Sequence, residues 1–255
     1  MRTKLAALVV ITAIGTAGTA RAADLKVLTA GAFKQIVLAM QPEIEQQTGH
    51  KLVMDNDTVG ALMKRIEGGE AFDVAIVSPA TVDELIAIGK VAAGSRTNLA
   101  RVGIGVMVKE GAPQPDVGSL EAFRRALLSA KSVAYIDPAS GGSSGIYLDK
   151  LFDRMGIGNQ VRAKAKLKQG GYVADLVASG RAELGIHQIS EIVPVAGVTL
   201  VGPLPQEIQN YTVYAAGIAA NTAQGDAARA LIKVLSGPSA ADLLKQKGME
   251  PAGAS

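Results

Sequence analysis

The sequence predicts an α/β protein in two lobes, each a mostly parallel sheet flanked by helices, the two joined by crossover strands. Three observations predict it. From Leu25 onward, short apolar runs alternate with amphipathic stretches, the βα rhythm of a parallel sheet. Pro- and Gly-bearing connections near 101–110 and 203–212 break that rhythm twice. They divide the chain into 23–103 plus 212–255 as one lobe and 104–211 as the other. Finally, a chain of 255 residues without cysteine must hold its core by packing alone, and about 230 residues bury enough surface to do so. The missing thiols also exclude cysteine nucleophiles and cysteine-ligated metals.

Residues 1–22 have the pattern of a secretory signal peptide. Arg2 and Lys4 precede an uncharged apolar stretch from Leu5 to Thr19, and Ala20-Arg21-Ala22 fits a small-x-small cleavage site. The stretch is too short and too rich in Gly and Thr for a membrane span, so stable membrane insertion is not expected. The leader implies export to the periplasm. It also distorts the charge. Three of the 26 basic residues lie in it and no acid does, so the remainder carries 23 bases against 23 acids. A neutral chain without tryptophan offers no basic or aromatic track for nucleic acid.

The elements follow in order. Leu25–Leu28 is a first strand, and Phe33, Ile36, Val37, Met40 and Ile44 mark one face of a helix interrupted by Pro42. Leu52–Met54 is a second strand, Asp55–Gly60 a polar turn, and Leu62, Met63 and Ile66 the inner face of the next helix. Phe72–Ser78 is a third strand, followed by a helix with Pro79 in its first turn. Val102–Val108 reads as a long strand leading into the second lobe. There, strands are expected at 132–136, 163–167, 183–187 and 198–201, and helices at 119–130, 146–155 and 172–179. Tyr211–Ala219 is the return strand, and helices over 223–235 and 239–247 close the chain.

Ile136-Asp137-Pro138-Ala139-Ser140-Gly141-Gly142-Ser143-Ser144-Gly145 leaves a strand and opens a helix. Such a loop either caps a helix in a Gly-rich turn or seats an anion on unpaired backbone N–H groups. Ligands of open α/β sheets sit beyond the carboxyl ends of the strands. Four small or polar loops reach that position: 30–33, 57–60, 140–145 and 187–190. His187 ends an apolar strand there, either as a core imidazole satisfied by backbone or as a ligand-binding or acid–base group. Tyr211 opens the return strand and is expected to face the cleft, whereas Tyr214 reads as core. His50 follows a helix-ending glycine and reads as a surface residue. Asp55 and Asp57 lack a third ligand, so no metal is expected.

The order of leader, small-residue turn, Gly60-Ala61-Leu62 helix, Phe72-Asp73-Val74-Ala75-Ile76 strand, Asp137-Pro138-Ala139 loop and late Tyr211 resembles the periplasmic molybdate-binding proteins, of the type 2 periplasmic binding-protein fold. The resemblance spans nearly the whole chain after the leader. It implies a monomer that clamps a small anion between two lobes, without a cofactor, and delivers it to the membrane subunits of an ABC importer. Carried onto this sequence, it gives Gly31, Ala32, Thr58, Val59, Gly60, Ser78, Ser143, Ser144, His187, Gln188 and Tyr211 as ligand-binding positions. Several depart from the family pattern. Ala32 replaces a serine, Val59 replaces one of two serines, Ser143-Ser144 replaces Pro-Ala, and His187 replaces an apolar residue. Those departures disfavour molybdate and favour a larger, asymmetric anion such as a polycarboxylate. Asn56-Asp57-Thr58, Gly142-Ser143-Ser144-Gly145 and His187-Gln188-Ile189-Ser190 are also similar to aconitate isomerase, an enzyme branch on this scaffold. That likeness implies a cofactor-free allylic proton shift with His187 as base, or, failing it, Asp57. Transport binding is the leading expectation and isomerisation the alternative; no feature points to a purely structural protein.

Overall fold

Alternation along the strands builds two separate sheets, each with a core on both faces. In β3 (Val74–Val77), Val74 and Ile76 join one cluster of buried side chains while Ala75 and Val77 join another. In β6 (Val133–Ile136), Val133 and Tyr135 face one cluster and Ala134 and Ile136 the opposite one. Successive side chains of a strand point to opposite faces, so strands apolar throughout require cover on both sides. The computed structural model describes residues 24–253, and the expected leader lies outside them.

The first sheet has the order β11-β4-β10-β3-β1-β2. Its parallel part is β1 (Asp24–Ala30), β2 (Lys51–Asp57) and β3, connected by helices α1 (Lys34–Thr48) and α2 (Val59–Glu67). Helix α3 (Pro79–Ala87) leads to β4 (Thr97–Val102), and β10 (Thr212–Ile218) returns from the other lobe. Strand β10 pairs antiparallel with both β3 and β4. Helices α9 (Gly225–Leu235) and α10 (Pro238–Gln246) then cover the core beside α1, and β11 (Glu250–Pro251) finishes the edge. Helix α1 runs through Pro42 and stops at Gly49, whose φ of 69° is a left-handed cap that glycine adopts without strain.

The second sheet has the order β7-β6-β8-β5-β9. Here β6 lies parallel to β7 (Ala165–Lys168) and to β8 (Leu184–Gln188). Strands β5 (Ile104–Lys109) and β9 (Val198–Pro203) join antiparallel. Helices α4 (Leu120–Ser129), α5 (Ser143–Arg154), α6 (Gly158–Arg162), α7 (Ala174–Ala178) and α8 (Ile189–Ile192) flank it. Each sheet is thus parallel where βα units build it and antiparallel where the crossing strands enter. Among the described residues no helix is long and apolar enough to cross a membrane.

Several elements differ from the sequence reading. The expected long strand 102–108 is two strands in two sheets, divided at Gly103. The polar turn expected over Asp55–Gly60 begins only after Asp57, because β2 stays paired with β1 through Asn56 and Asp57. Helices α6 and α8 and strand β11 are too short for periodicity to mark. The two connections between the sheets are strapped together by one side chain. Gln209 accepts from the Ile104 N–H at 2.8 Å and donates to the Ile104 carbonyl at 3.0 Å.

Candidate functional site

The carboxyl ends of β1, β2, β6 and β8 face one another across a cleft between the sheets. A cavity of about 40 Å³ lies there, lined by Gly31, Asp57, Thr58, Ser143, Ser144 and His187, among others. The elements that deliver these residues differ in how their helix starts are satisfied. Thr58, Ser78 and Ser119 cap α2, α3 and α4 by accepting from backbone N–H groups three residues on. No side chain caps α5, α8 or the single 3-10 turn at Gly31–Phe33. The open starts of α5 and of the turn at Gly31 therefore bring backbone donors to the cleft, which suits an anion, whereas the first N–H of α8 donates to the Gly103 carbonyl. In the 140–145 loop, Asp137 caps only the short turn over Pro138–Ser140 and leaves the start of α5 open.

Glycine permits the close approach there. A Cβ at Gly145 would lie 2.2 Å from the Ile136 carbonyl, and one at Gly142 would lie 2.5 Å from the Ile136 Cγ2. Helix α5 therefore starts hard against the end of β6. The two lobes meet across the cleft at a second glycine pair. Gly60 N–H donates to the Gly141 carbonyl at 3.2 Å, and Thr58 Oγ1 donates to the Ser140 carbonyl at 2.5 Å. Gln35 in α1 reaches Tyr172 of the second lobe at 2.6 Å. The lobes are closed on each other.

Eight of the candidate positions line the cavity together: Gly31, Ala32, Thr58, Val59, Ser143, Ser144, His187 and Gln188. Gly60 forms the seam beside it. Two positions lie elsewhere. Ser78 follows β3 directly but gives its hydroxyl to the start of α3, bonding Thr81. Tyr211 precedes β10, is 47% exposed and lies under the Arg101 guanidinium. The tyrosine that reaches the cleft is Tyr214, at 2% exposure. Parity along β10 decides this, since Tyr214 shares the inward face with Ala216 and Ile218.

Gln188 ties this tyrosine to both lobes. It accepts from Tyr214 OH at 2.8 Å and donates to Ser143 Oγ at 2.8 Å and to Thr212 Oγ1 at 3.2 Å. Burial pushes the Tyr214 phenol above its ordinary range, so it stays a neutral donor. Replacing Gln188 by Ala removes the amide that joins Tyr214, Ser143 and Thr212 in this buried cluster. The expected result is a loss of about 1–3 kcal/mol, read from urea denaturation; an unchanged midpoint and slope would contradict it.

The residue that sequence reasoning missed is Glu191. It sits in α8, 7% exposed, and lines the same cavity. His187 Nε2 lies 3.2 Å from its Oε2. Burial pushes the Glu191 carboxyl up to about 8 and the His187 imidazole down to about 3, with nearby Lys168 adding to the latter. Burial thus disfavours the charged form of each partner and favours a proton on the carboxyl. Asp57, the fallback base from the sequence, also lines the cavity but accepts the Thr58 N–H and faces Arg65 at 3.8 Å. Among the described residues lining the cavity there is no lysine or arginine.

The comparisons with known proteins agree with this architecture. The family model for bacterial extracellular solute-binding proteins matches residues 25–250. The chain belongs to that family. Within it, an aconitate isomerase from Pseudomonas sp is 35% identical over 233 residues, covering 89% of this chain and 87% of the relative. The molybdate-binding protein ModA of Azotobacter vinelandii is 27% identical over 240 residues, covering 90% of each. Among solved structures, the periplasmic molybdate-binding protein of Azotobacter vinelandii superposes with a TM-score of 0.75 at 22% identity, over 88% of this chain and 98% of that one. The sulfate-binding protein SubI of Mycobacterium tuberculosis gives 0.73 at 15% identity, over 91% and 88%. This solute-binding protein therefore has the two-lobed type 2 periplasmic fold.

Proposed function

We propose that this solute-binding protein closes on a small polycarboxylate and shifts one of its protons, as an isomerase of the aconitate type. The observation that carries the reading is the buried His187–Glu191 pair on the cleft wall. A cleft that only holds an anion needs hydrogen-bond donors but no acid–base pair. A cleft that moves a proton needs one group to take it and return it. Interconversion of the aconitate isomers is an allylic shift: a proton leaves the methylene, the electron pair spreads through the double bond into a carboxylate, and a proton returns at the far carbon. Uncapped N–H groups at Gly31 and at the start of α5, with Asn56 and Ser144, are the donors for the ligand's carboxylates and the charge that develops. The chemistry needs no cofactor, the leader supports action in the periplasm, and a monomer suffices. The relative at 35% identity bearing that activity's name supports the same reading.

A second reading is transport, in which an unchanged anion is handed to an ABC importer. The closed seam between Gly60 and Gly141 favours it, because clamping is all that delivery requires. Purified protein incubated with either cis- or trans-aconitate separates the two. Isomerisation takes both to one mixture by chromatography; retention of each unchanged isomer with tight binding supports transport. Molybdate is expected to bind only weakly in either case. Ala32 and Val59 remove two side-chain donors, each contributing about 0.5–1.5 kcal/mol, or more toward a charged acceptor. Submicromolar molybdate affinity by calorimetry would overturn that expectation.

A further inference from the structure

We propose that Glu191, rather than His187, is the group this cleft presents to its ligand: the carboxyl exchanges a proton with the ligand carbon through Oε1 while His187 stores the proton of Oε2. The catalytic part rests on the isomerase reading above; the presence of a protonated Glu191 in the closed cleft does not. Three geometric facts lead to it. His187 Nδ1 is sealed from solvent and has no hydrogen-bond partner. Nε2, the other ring nitrogen, is covered by Glu191 Oε2 at 3.2 Å. Neither nitrogen of the imidazole opens on the cavity. The carboxyl does, and it reaches across the cleft to the first lobe. A Cβ at Gly31 would lie 2.8 Å from Glu191 Oε1, so the carboxyl rests directly against the backbone of the opposite wall.

The local chain explains the pairing. Helix α8 begins directly after β8 and turns the chain back, which brings Glu191 beside His187 of the strand end four residues before it. Glu191 is the sole charged residue between Leu184 and Ile192, an otherwise neutral stretch. The other charged or titratable groups around the pair are Lys168, which acts on His187, Tyr214, whose ionisation Glu191 opposes, and Asp57 on the cavity wall. Burial is what favours retention of the proton on the carboxyl.

The step balances. The methylene C–H bond breaks and its proton passes to Glu191 Oε1, while the proton on Oε2 moves to His187 Nε2. The electron pair left on carbon delocalises into the ligand's carboxylate, and the imidazolium formed offsets the new negative charge. At the far carbon, Oε1 returns a proton and Nε2 gives its proton back to Oε2. The carboxyl thus ends as it began.

Glu191→Gln tests the proposal, because the amide keeps the size and a hydrogen bond to His187 but cannot relay a proton. The expected result is a fall in aconitate turnover of about a hundredfold or more. Solvent deuterium incorporation into the ligand methylene should be lost in parallel, ligand affinity should stay within a few-fold, and Glu191→Asp should recover part of the rate. Turnover within a few-fold of wild type in the Gln variant would overturn the proposal, since a structural role alone survives the change. A second measurement needs no turnover. The infrared spectrum of the free protein at pH 7 should contain a protonated-carboxyl band that the Gln variant lacks; without that difference the proposal fails. Wild-type protein that converts neither aconitate isomer sinks the isomerase reading alone, and the infrared band then decides for or against Glu191.

Discussion

Changing His187 to Ala is expected to lower aconitate turnover by about a hundredfold or more while leaving the ligand bound. The imidazole is the acceptor behind Glu191, 3.2 Å from its Oε2. Without it the carboxyl can still hold its proton but has nowhere to pass it when a second arrives. Binding depends on other groups, chiefly the open helix starts at Gly31 and Ser143, which the change does not touch. His187→Gln separates chemistry from packing, because it fills most of the space without supplying a base. Both variants should therefore show the same loss in the maximal rate and little change in the calorimetric affinity. If the protein only transports, there is no rate to lose. The Ala variant then leaves affinity within a few-fold, because neither ring nitrogen opens on the cavity. An Ala variant that isomerises at the wild-type rate would clear His187 of any part in proton transfer.

The second large effect is expected at the seam. A Cβ on Gly60 would lie 2.8 Å from the Gly141 Cα, and one on Gly141 would lie 2.7 Å from the Gly60 Cα. Backbone meets backbone there, so neither side can yield by turning a side chain. Gly60→Ala is the cleaner change, because Gly141 also carries a φ of 77° that alanine would strain. Overpacking of this kind costs about 1–3 kcal/mol, which corresponds to roughly 5- to 150-fold in affinity. Gly60 lies in the first turn of α2, where alanine is the better helix former. The first lobe should thus hold or gain thermal stability while the ligand is lost. Small-angle scattering with saturating ligand should find the variant more open than the parent protein. Unchanged affinity in Gly60→Ala would mean that the seam does not form in the bound state.

The fold was legible because its signals are long and repeated. The βα rhythm and two interrupting connections lead to two sheets, and the four small loops at strand ends lead to the cleft lining. The carboxylate beside the imidazole was not legible. Glu191 stands on a helix of four residues, too short for any periodicity, and a glutamate four places after a histidine ordinarily reads as a solvated surface pair. Its one signal is its isolation in an apolar stretch, a lone charge that a strand and a buried turn must take inward. Tyr211 and Tyr214 show a different limit. The two are three residues apart and so have opposite parity along the strand, and only the pairing register of β10, which the sequence does not reveal, says which parity faces the cleft. Ser78 shows a third: it directly follows a strand on the correct side, yet the helix after it uses its hydroxyl first.

The absence of lysine and arginine among the described cavity-lining residues bears on how the ligand arrives. Without lysine or arginine among those residues, and with Lys168 as the nearby cation, the cleft exerts only a weak long-range pull on an approaching anion, and the balance of 23 bases against 23 acids over residues 23–255 adds none. Encounter is then governed by diffusion and orientation, and dissolved salt has little field to screen. Recognition is deferred to contact, where oriented peptide dipoles act over a few ångströms. Such a protein trades speed of capture for indifference to the ionic strength of its surroundings.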